Sequence, residues 1–446
     1  MHLIFLIRSM KNNRLFFVIT LCFAWIIGVD AQTERSLSIE AMFQLIDEHN
    51  SSVKVSKTAI LSAEEAVRIA KNQQLPDIKL QVNASYIGNA LMTDRDLGHV
   101  QNLTSPHFGN QFLVVMQQVI YAGGAISAGI QLAQLGASQA QLQYAKNKQN
   151  QRFIVLGQYL ELQKIAHRKE VVESNIQLTE KLIRNISEKQ QQGLALKNDI
   201  TRYELQLETQ KLTLTQLQNT RKILNHQLCT SLGLSPSETI IPTDDATKAL
   251  FDQDEEQQWQ KMATGNNIQL QMAGVSEQMA HEKEKLTKSD LLPKIAIVAQ
   301  NNFNGPITFE LPPIDKDLNV WFVGVGVQYQ LSSLFKSKRK LAQARMDSRM
   351  ATEQKTVIAE QLNNQVQAAY VNYMQSYVEL ETQQKSVQLA LQNYQVVNNR
   401  YLNQLALVTD MIDASNMKLD AELKEVDARI NIAYAYYQMK YIVGQL

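Results

Sequence analysis

The chain has 446 residues, with 44 Lys and Arg against 43 Asp and Glu, 45% hydrophobic residues and 7% aromatics. That balance excludes a disordered chain, and with no large field of one sign to steer a polyanion it also excludes nucleic acid as a partner. The prolines at 76, 106, 236, 242, 293, 306, 312 and 313 leave 107–235 and 314–446 proline-free and rich in Gln, Leu, Ala, Lys and Glu, which predicts helices far longer than the usual ~11–12 residues and disfavours a compact enzyme.

At the start of the chain, Arg8, Lys11 and Arg14 precede an apolar stretch from Leu15 to Val29, followed by Asp30 and Ala31. This reads as a secretory signal peptide over 1–31. The stretch is shorter than the ~20 residues a membrane-crossing helix needs, and no later segment is apolar enough. Removing it leaves a nearly neutral mature chain in which Cys229 stands alone, so no intrachain disulfide framework exists. Cys22 lacks the small preceding residues of a lipoprotein signal, since Ile19, Thr20 and Leu21 stand there.

The sequence then repeats itself once. Leu75-Pro76 with Ile78 and Leu80 returns as Leu292-Pro293 with Ile295 and Ile297. Leu194-Ala195-Leu196 with Asp199 returns as Leu405-Ala406-Leu407 with Asp410, at nearly the same chain distance. Such self-similarity predicts two copies of one unit. The first copy spans 32–235 and the second 266–446, with a linker at 236–265 where Pro236, Pro242 and the acidic run Asp252–Glu256 break the pattern.

Each copy reads as helix, strand, loop, strand, long helix, turn, long helix. Ile78, Leu80, Val82, Ala84 and Tyr86 alternate with Lys79, Gln81, Asn83 and Ser85, the period-two signature of a strand with one apolar and one polar face. Trp321, Val323, Val325, Val327 and Tyr329 do the same in the second copy; Phe112–Met116 and Ile295–Ala299 do so more weakly. The intervening segments Asn89–His107 and Asn304–Asn319 read as loops, and Gly123 and Gly124 as a strand-to-helix bend.

The helical runs carry heptad seams. Leu362, Val366, Ala369, Tyr373, Tyr377 and Leu380 lead on to Tyr394, Tyr401 and Leu405, and Leu207, Gln210, Leu214, Leu217, Arg221, Leu224 and Leu228 form the counterpart. A helix from Ala125 to about Glu188 would be roughly 100 Å long at ~1.5 Å per residue, and its Gln-rich surface cannot face lipid. Four amphipathic strands, by contrast, suit a bilayer only as part of a closed barrel, and single-chain barrels begin at about eight strands. Several chains must therefore share one barrel: two would give eight strands with a filled interior, three would give twelve with room for a passage.

The signal peptide, the duplicated unit, the Leu-Pro step, Val119-Ile120-Tyr121-Ala122-Gly123-Gly124 at a strand exit and the Gly193-Leu194 turn together resemble the outer-membrane efflux proteins of the TolC type. The resemblance covers essentially the whole mature chain. It implies a mixed α/β membrane protein: a homotrimer whose twelve-stranded β-barrel, four strands per chain, lies among outer-membrane lipid and continues into a long α-helical coiled-coil tunnel in the periplasm. In function it implies a passive exit duct of a tripartite efflux pump or type I secretion system, opened by a periplasmic adaptor (membrane fusion) protein and an inner-membrane pump of the RND or ABC type. It also places Asp410 and Asp413 at an acidic ring around the periplasmic entrance, and Tyr401 at a latch between inner and outer helices with Asp199 opposite. The latch arginine of the family falls on Ala406 here, and Gln404 stands where the family usually has Gly.

Blander readings stand beside these. Asp199 and Asp410 follow turns where short polar residues cap free helix amides, and Tyr401 lies on a seam where tyrosines commonly just pack. The turn residues Gly193, Leu194, Ala195 and Leu196, with Leu405, Ala406 and Leu407, are candidates for adaptor contact, or else they pack within their own hairpins. No catalytic or metal-binding spacing occurs among the seven histidines and Cys229, and no phosphate loop is present, so neither enzyme activity, cofactor nor metal is expected. The competing functional class is a non-conducting trimeric coiled-coil scaffold or adhesin; matched strand pairs in both copies favour the duct.

Overall fold

The period-two alternation of the sequence becomes strand register in the computed structural model, which describes residues 33–247, 251 and 254–446. The expected signal segment, with Cys22, and the first residues of the acidic run, Asp252 and Gln253, lie outside the described residues. The elements run β1 (Glu34–Leu37), α1 (Ile39–His49), α2 (Ser51–Asn72), β2 (Asp77–Tyr86), β3 (Ala90–Met92), β4 (Gln101–Leu103), β5 (Phe108–Tyr121), α3 (Ala125–Gln191) and α4 (Lys197–Leu232). Then follow β6 (Thr239–Pro242), α5 (Glu256–Asn266), α6 (Ile268–Ser289), β7 (Lys294–Gly305), β8 (Leu318–Gln328), α7 (Ser333–Leu402) and α8 (Val408–Ile442). The proline-free runs thus hold helices of 67 and 70 residues. No described helix is long and apolar enough to cross a membrane.

The described residues gather into two compact units, one from 33–51, 151–247, 251 and 372–438, the other from 52–150, 254–371 and 439–446. Both repeats contribute to each unit. In the first, β1 and β6 pair in parallel, Glu34 opposite Thr239 through Leu37 opposite Pro242. The segment expected as a linker, 236–265, therefore holds β6 and most of α5. The fully buried Tyr159 clamps this pair, its hydroxyl donating to the Leu37 carbonyl at 2.8 Å; burial raises its pKa. Ile39 N–H donates to Asp244 at 2.6 Å, satisfying an amide at the start of α1 that the helix leaves free.

The second unit is built on an antiparallel sheet in the order β2-β5-β7-β8, so the central pair joins the first repeat to the second. Directly opposed residues share a face. Register places Ile78, Met116, Ala299 and Val323 in one row, and Leu80, Val114, Asn301 and Trp321 in the next. The opposite face carries Lys79, Val115, Gln300 and Phe322, then Gln81, Leu113, Asn302 and Val320, then Asn83, Gln111, Asn304 and Leu318. Asn83 donates to Gln111 at 3.1 Å and Gln111 to Asn302 at 3.4 Å, an amide ladder across three strands. One face is therefore mostly apolar, while the other mixes uncharged amides on β2, β5 and β7 with apolar residues that include all three on β8. Among the described residues the outer edges of β2 and β8 are unpaired.

Two segments expected as bare loops carry local pairing. Within 89–107, β3 pairs with β4, and Ile307 bridges Ile314 in the other.

The bend at Gly123 and Gly124 is enforced by packing. Both residues have left-handed backbone, φ 63° and 87°. A Cβ on Gly123 would stand 2.8 Å from Leu292 Cβ and 2.9 Å from the Ser289 carbonyl. The Leu-Pro step of the second repeat thus sits against the strand exit of the first. Gly123→Ala is expected to destabilise the fold by about 2 kcal/mol, combining left-handed strain with this clash. Thermal denaturation should show the loss, and an unshifted midpoint would contradict this account of the bend.

Candidate functional site

The two helix-helix turns of the first unit are the same structure made twice. Helix α3 ends with Gly193 N–H on the Gln190 carbonyl at 2.9 Å and Leu194 N–H on the Lys189 carbonyl at 2.8 Å; α7 ends with Gln404 N–H on Tyr401 at 3.1 Å and Leu405 N–H on Arg400 at 2.8 Å. These paired bonds close a helix on a left-handed residue. Gly193 has φ 76° and Gln404 φ 61°, so Gln404 occupies a conformation that costs a side-chain-bearing residue energy. Arg400 offsets part of this by donating from Nη2 to the Leu405 carbonyl at 3.2 Å.

Each next helix opens in the same way. Leu196 N–H donates to Asp199 Oδ2 at 3.1 Å, and Leu407 N–H to Asp410 Oδ2 at 3.0 Å. Both aspartates therefore act as caps, each holding a negative charge at the positive end of a helix. Asp410 remains exposed at its cap.

Between these anchors the Leu-Ala-Leu segments divide by residue. Leu194, Leu196, Leu405 and Leu407 are 56–71% exposed. Ala195, by contrast, packs on a core of Leu182, Ile186, Tyr203, Val408 and Met411, and Ala406 is half-buried. Ala195 thus packs within its hairpin, while the four leucines face away from that core.

Tyr401 packs against that same core. Lys189 Nζ lies 5.2 Å from its ring centroid, a cation-π contact. Burial raises the pKa of Tyr401 and the Asp199 carboxylate raises it further, so the structure brings the two latch candidates into electrostatic reach. Among the described residues no arginine bonds the Tyr401 hydroxyl; the arginine at this turn, Arg400, serves its backbone.

Sequence reasoning missed Tyr203. It is fully buried, its hydroxyl has no hydrogen-bond partner among the described residues, and its pKa is raised by burial first and then by Tyr401, Tyr394 and Asp199. The signal was present: extending the seam of Leu207 and Gln210 back by four residues lands on Tyr203.

Asp413 is exposed and lines a cleft of about 450 Å³ between α4 and α8, with Arg202, Gln206, Gln210 and Asn416 also on its wall. Gln206 Nε2 donates to Asn416 Oδ1 at 3.0 Å, whereas the buried Gln210 amide finds no partner in the chain. Among the described residues no cluster of three or more His, Cys, Asp or Glu is placed to hold a metal ion.

No protein-family model and no curated sequence matches this chain. Solved structures do. The outer-membrane channel OprN superposes with a TM-score of 0.76 at 14% identity, over 92% of this chain and 90% of its own. The outer membrane protein VceC from Vibrio cholerae gives 0.74 at 14% over 91% and 96%. The CmeC outer membrane channel of Campylobacter jejuni gives 0.73 at 12% over 91% and 85%. The chain has the fold of these channels, the TolC-type outer membrane factor fold.

Replacing Gln404 with Gly is expected to stabilise the protein by ~0.5–1 kcal/mol, and Gly193→Ala to destabilise it by a similar amount or more. Chemical denaturation of the two variants should move the midpoints in opposite directions; a shift of the same sign would show that the turns are not equivalent.

Proposed function

We propose that three copies of this chain close their sheets into one twelve-stranded barrel in the outer membrane, with the long helices forming a periplasmic duct. The observation that carries this is the four-stranded sheet with one apolar face and two open edges. An open edge in hydrocarbon leaves a row of unpaired backbone groups, each costing several kcal/mol, so the edges must meet other copies. The amide-bearing face then lines a passage wide enough for water. A non-conducting scaffold has no need of such a face, which sets that alternative second. The chain therefore serves as a passive exit duct of a tripartite efflux pump or type I secretion system, working with a periplasmic adaptor and an inner-membrane pump.

In this reading Asp410 and Asp413 form an acidic ring at the periplasmic entrance. Threefold symmetry repeats both carboxylates around the axis. Like charges at ~4 Å repel by about 1 kcal/mol even in water, so bridging cations favour the narrow state. The latch lacks the family arginine and rests on Tyr401 with Lys189, over the core that holds Tyr203. Native mass spectrometry should show three copies, and planar-bilayer recording should show discrete conductance steps. Asp410→Asn with Asp413→Asn should raise the divalent-cation concentration that halves the current by about tenfold. A stable monomer without conductance would sink the duct; unchanged cation block would remove the ring alone.

The exposed leucines are the adaptor contact in this reading, and the alanines beneath them are structural. Leu194→Ser with Leu405→Ser should abolish drug efflux in cells while trimer yield and conductance stay unchanged. Ala195→Asp should instead lower yield by placing a charge against Tyr203 and Ile186. If the leucine variant exports normally, the adaptor binds elsewhere.

A further inference from the structure

Beyond the strand end of β8 the chain keeps alternating: Tyr329 and Leu331 continue the series of Val323, Val325 and Val327. Leu331 and Phe335 are 68% and 67% exposed, and Leu334 is exposed beside them. Directly after them come Lys336, Lys338, Arg339 and Lys340, all exposed, none in an ion pair with a described residue. These four cations occupy the first turns of α7, which has no acidic residue in its first turn. Positive charge there opposes the helix dipole, so the free chain bears an electrostatic cost that an anion would relieve. Asp290 and Asp347 line the cleft beside Lys340 without pairing to it.

The same end of the sheet carries Lys294 in its last rung, opposite Gln328; Asp77 at the start of β2 is paired to Lys79 at 3.0 Å. The connections at the other end hold Asp94, Asp96, Glu310, Asp315 and Asp317 against Arg95 and Lys316. The two ends of the sheet are thus oppositely charged. Exposed apolar residues followed at once by unpaired cations are the arrangement of a membrane interface with anionic headgroups.

We propose that residues 331–340, with Lys294, bind anionic phospholipid headgroups of the leaflet facing the helical side of the sheet, with Leu331, Leu334 and Phe335 entering the acyl region. This rests on the reading of the sheet as part of a membrane barrel. It assigns a lipid site to the strand-helix junction of the second repeat only, because the first repeat's counterpart, Ala122 to Gly129, carries no charge.

The test is lipid retention by the purified full-length assembly, exposed to equal amounts of phosphatidylglycerol and phosphatidylethanolamine and read by native mass spectrometry. Wild type should retain phosphatidylglycerol with about tenfold preference, as expected for several juxtamembrane cations. The variant K336Q/K338Q/R339Q/K340Q should fall to near parity, and K336R/K338R/K340R should keep the preference. L331S/F335S should lose retained lipid with the charges intact, which covers the case where the glutamine variant fails to assemble. No preference in wild type, or an unchanged preference in the glutamine variant, overturns the proposal. Displacement of the lipid by millimolar inorganic phosphate also overturns it, since the ligand is then the free anion. Bilayer conductance of the same samples separates the two levels: a conducting wild type without lipid preference defeats this proposal alone, and a wild type that neither inserts nor conducts defeats the barrel reading.

Discussion

Backbone hydrogen bonding at the edges of one sheet governs the rest of the molecule. Strands β2 and β8 each satisfy one side of their ladder and leave the other open, while the register collects Ile78, Leu80, Val82, Met116, Val114, Val323 and Val325 on one surface. In water such an edge invites aggregation; in lipid it is forbidden unless paired. In either solvent an open edge of this kind is a site for a further strand. The central β5-β7 pairing joins the two repeats in one sheet.

What the sequence makes legible follows the periodicities that physical chemistry allows. Alternation in Ile78–Tyr86 and Trp321–Tyr329 revealed β2 and β8 because half-buried strands have a period of two, and proline-free heptads revealed the two longest helices. The parallel pair β1-β6 stayed hidden. Its strands are four residues each, far apart in the chain, and one ends in Pro242, so no alternation long enough to read marks them. The turns were located but not oriented, since Leu-Ala-Leu lies outside any regular period. Which of its residues points outward is decided by the core beneath, where Tyr203 fills the space that Ala195 is small enough to cover.

The duplicated turns show how one backbone solution tolerates divergent chemistry. Gly193 and Gln404 share left-handed geometry, Leu194 and Leu405 share the closing bond, and Asp199 and Asp410 share the cap. Capping and a role at an entrance are compatible, because a carboxylate with one oxygen on a backbone amide still presents its charge to solvent. The differences lie in the supports: Arg400 braces the second turn, whereas Lys189 near the first leans on Tyr401 of the second. The contact of Lys189 with the Tyr401 ring is less directional than the hydrogen bond that Arg400 makes.

Charge is placed unevenly along the chain, and that placement divides the work. The amide-bearing face of the sheet holds a ladder from Asn83 to Gln111 to Asn302 among apolar neighbours, with Lys79 paired to Asp77. An amide ladder offers dipoles and no net field. Carboxylates with unpaired charge toward solvent stand instead at Asp410 and Asp413 beside the second turn. Beside that turn Tyr401 packs on the core that holds Tyr203, so the exposed carboxylates stand next to a packed aromatic cluster rather than in a free loop.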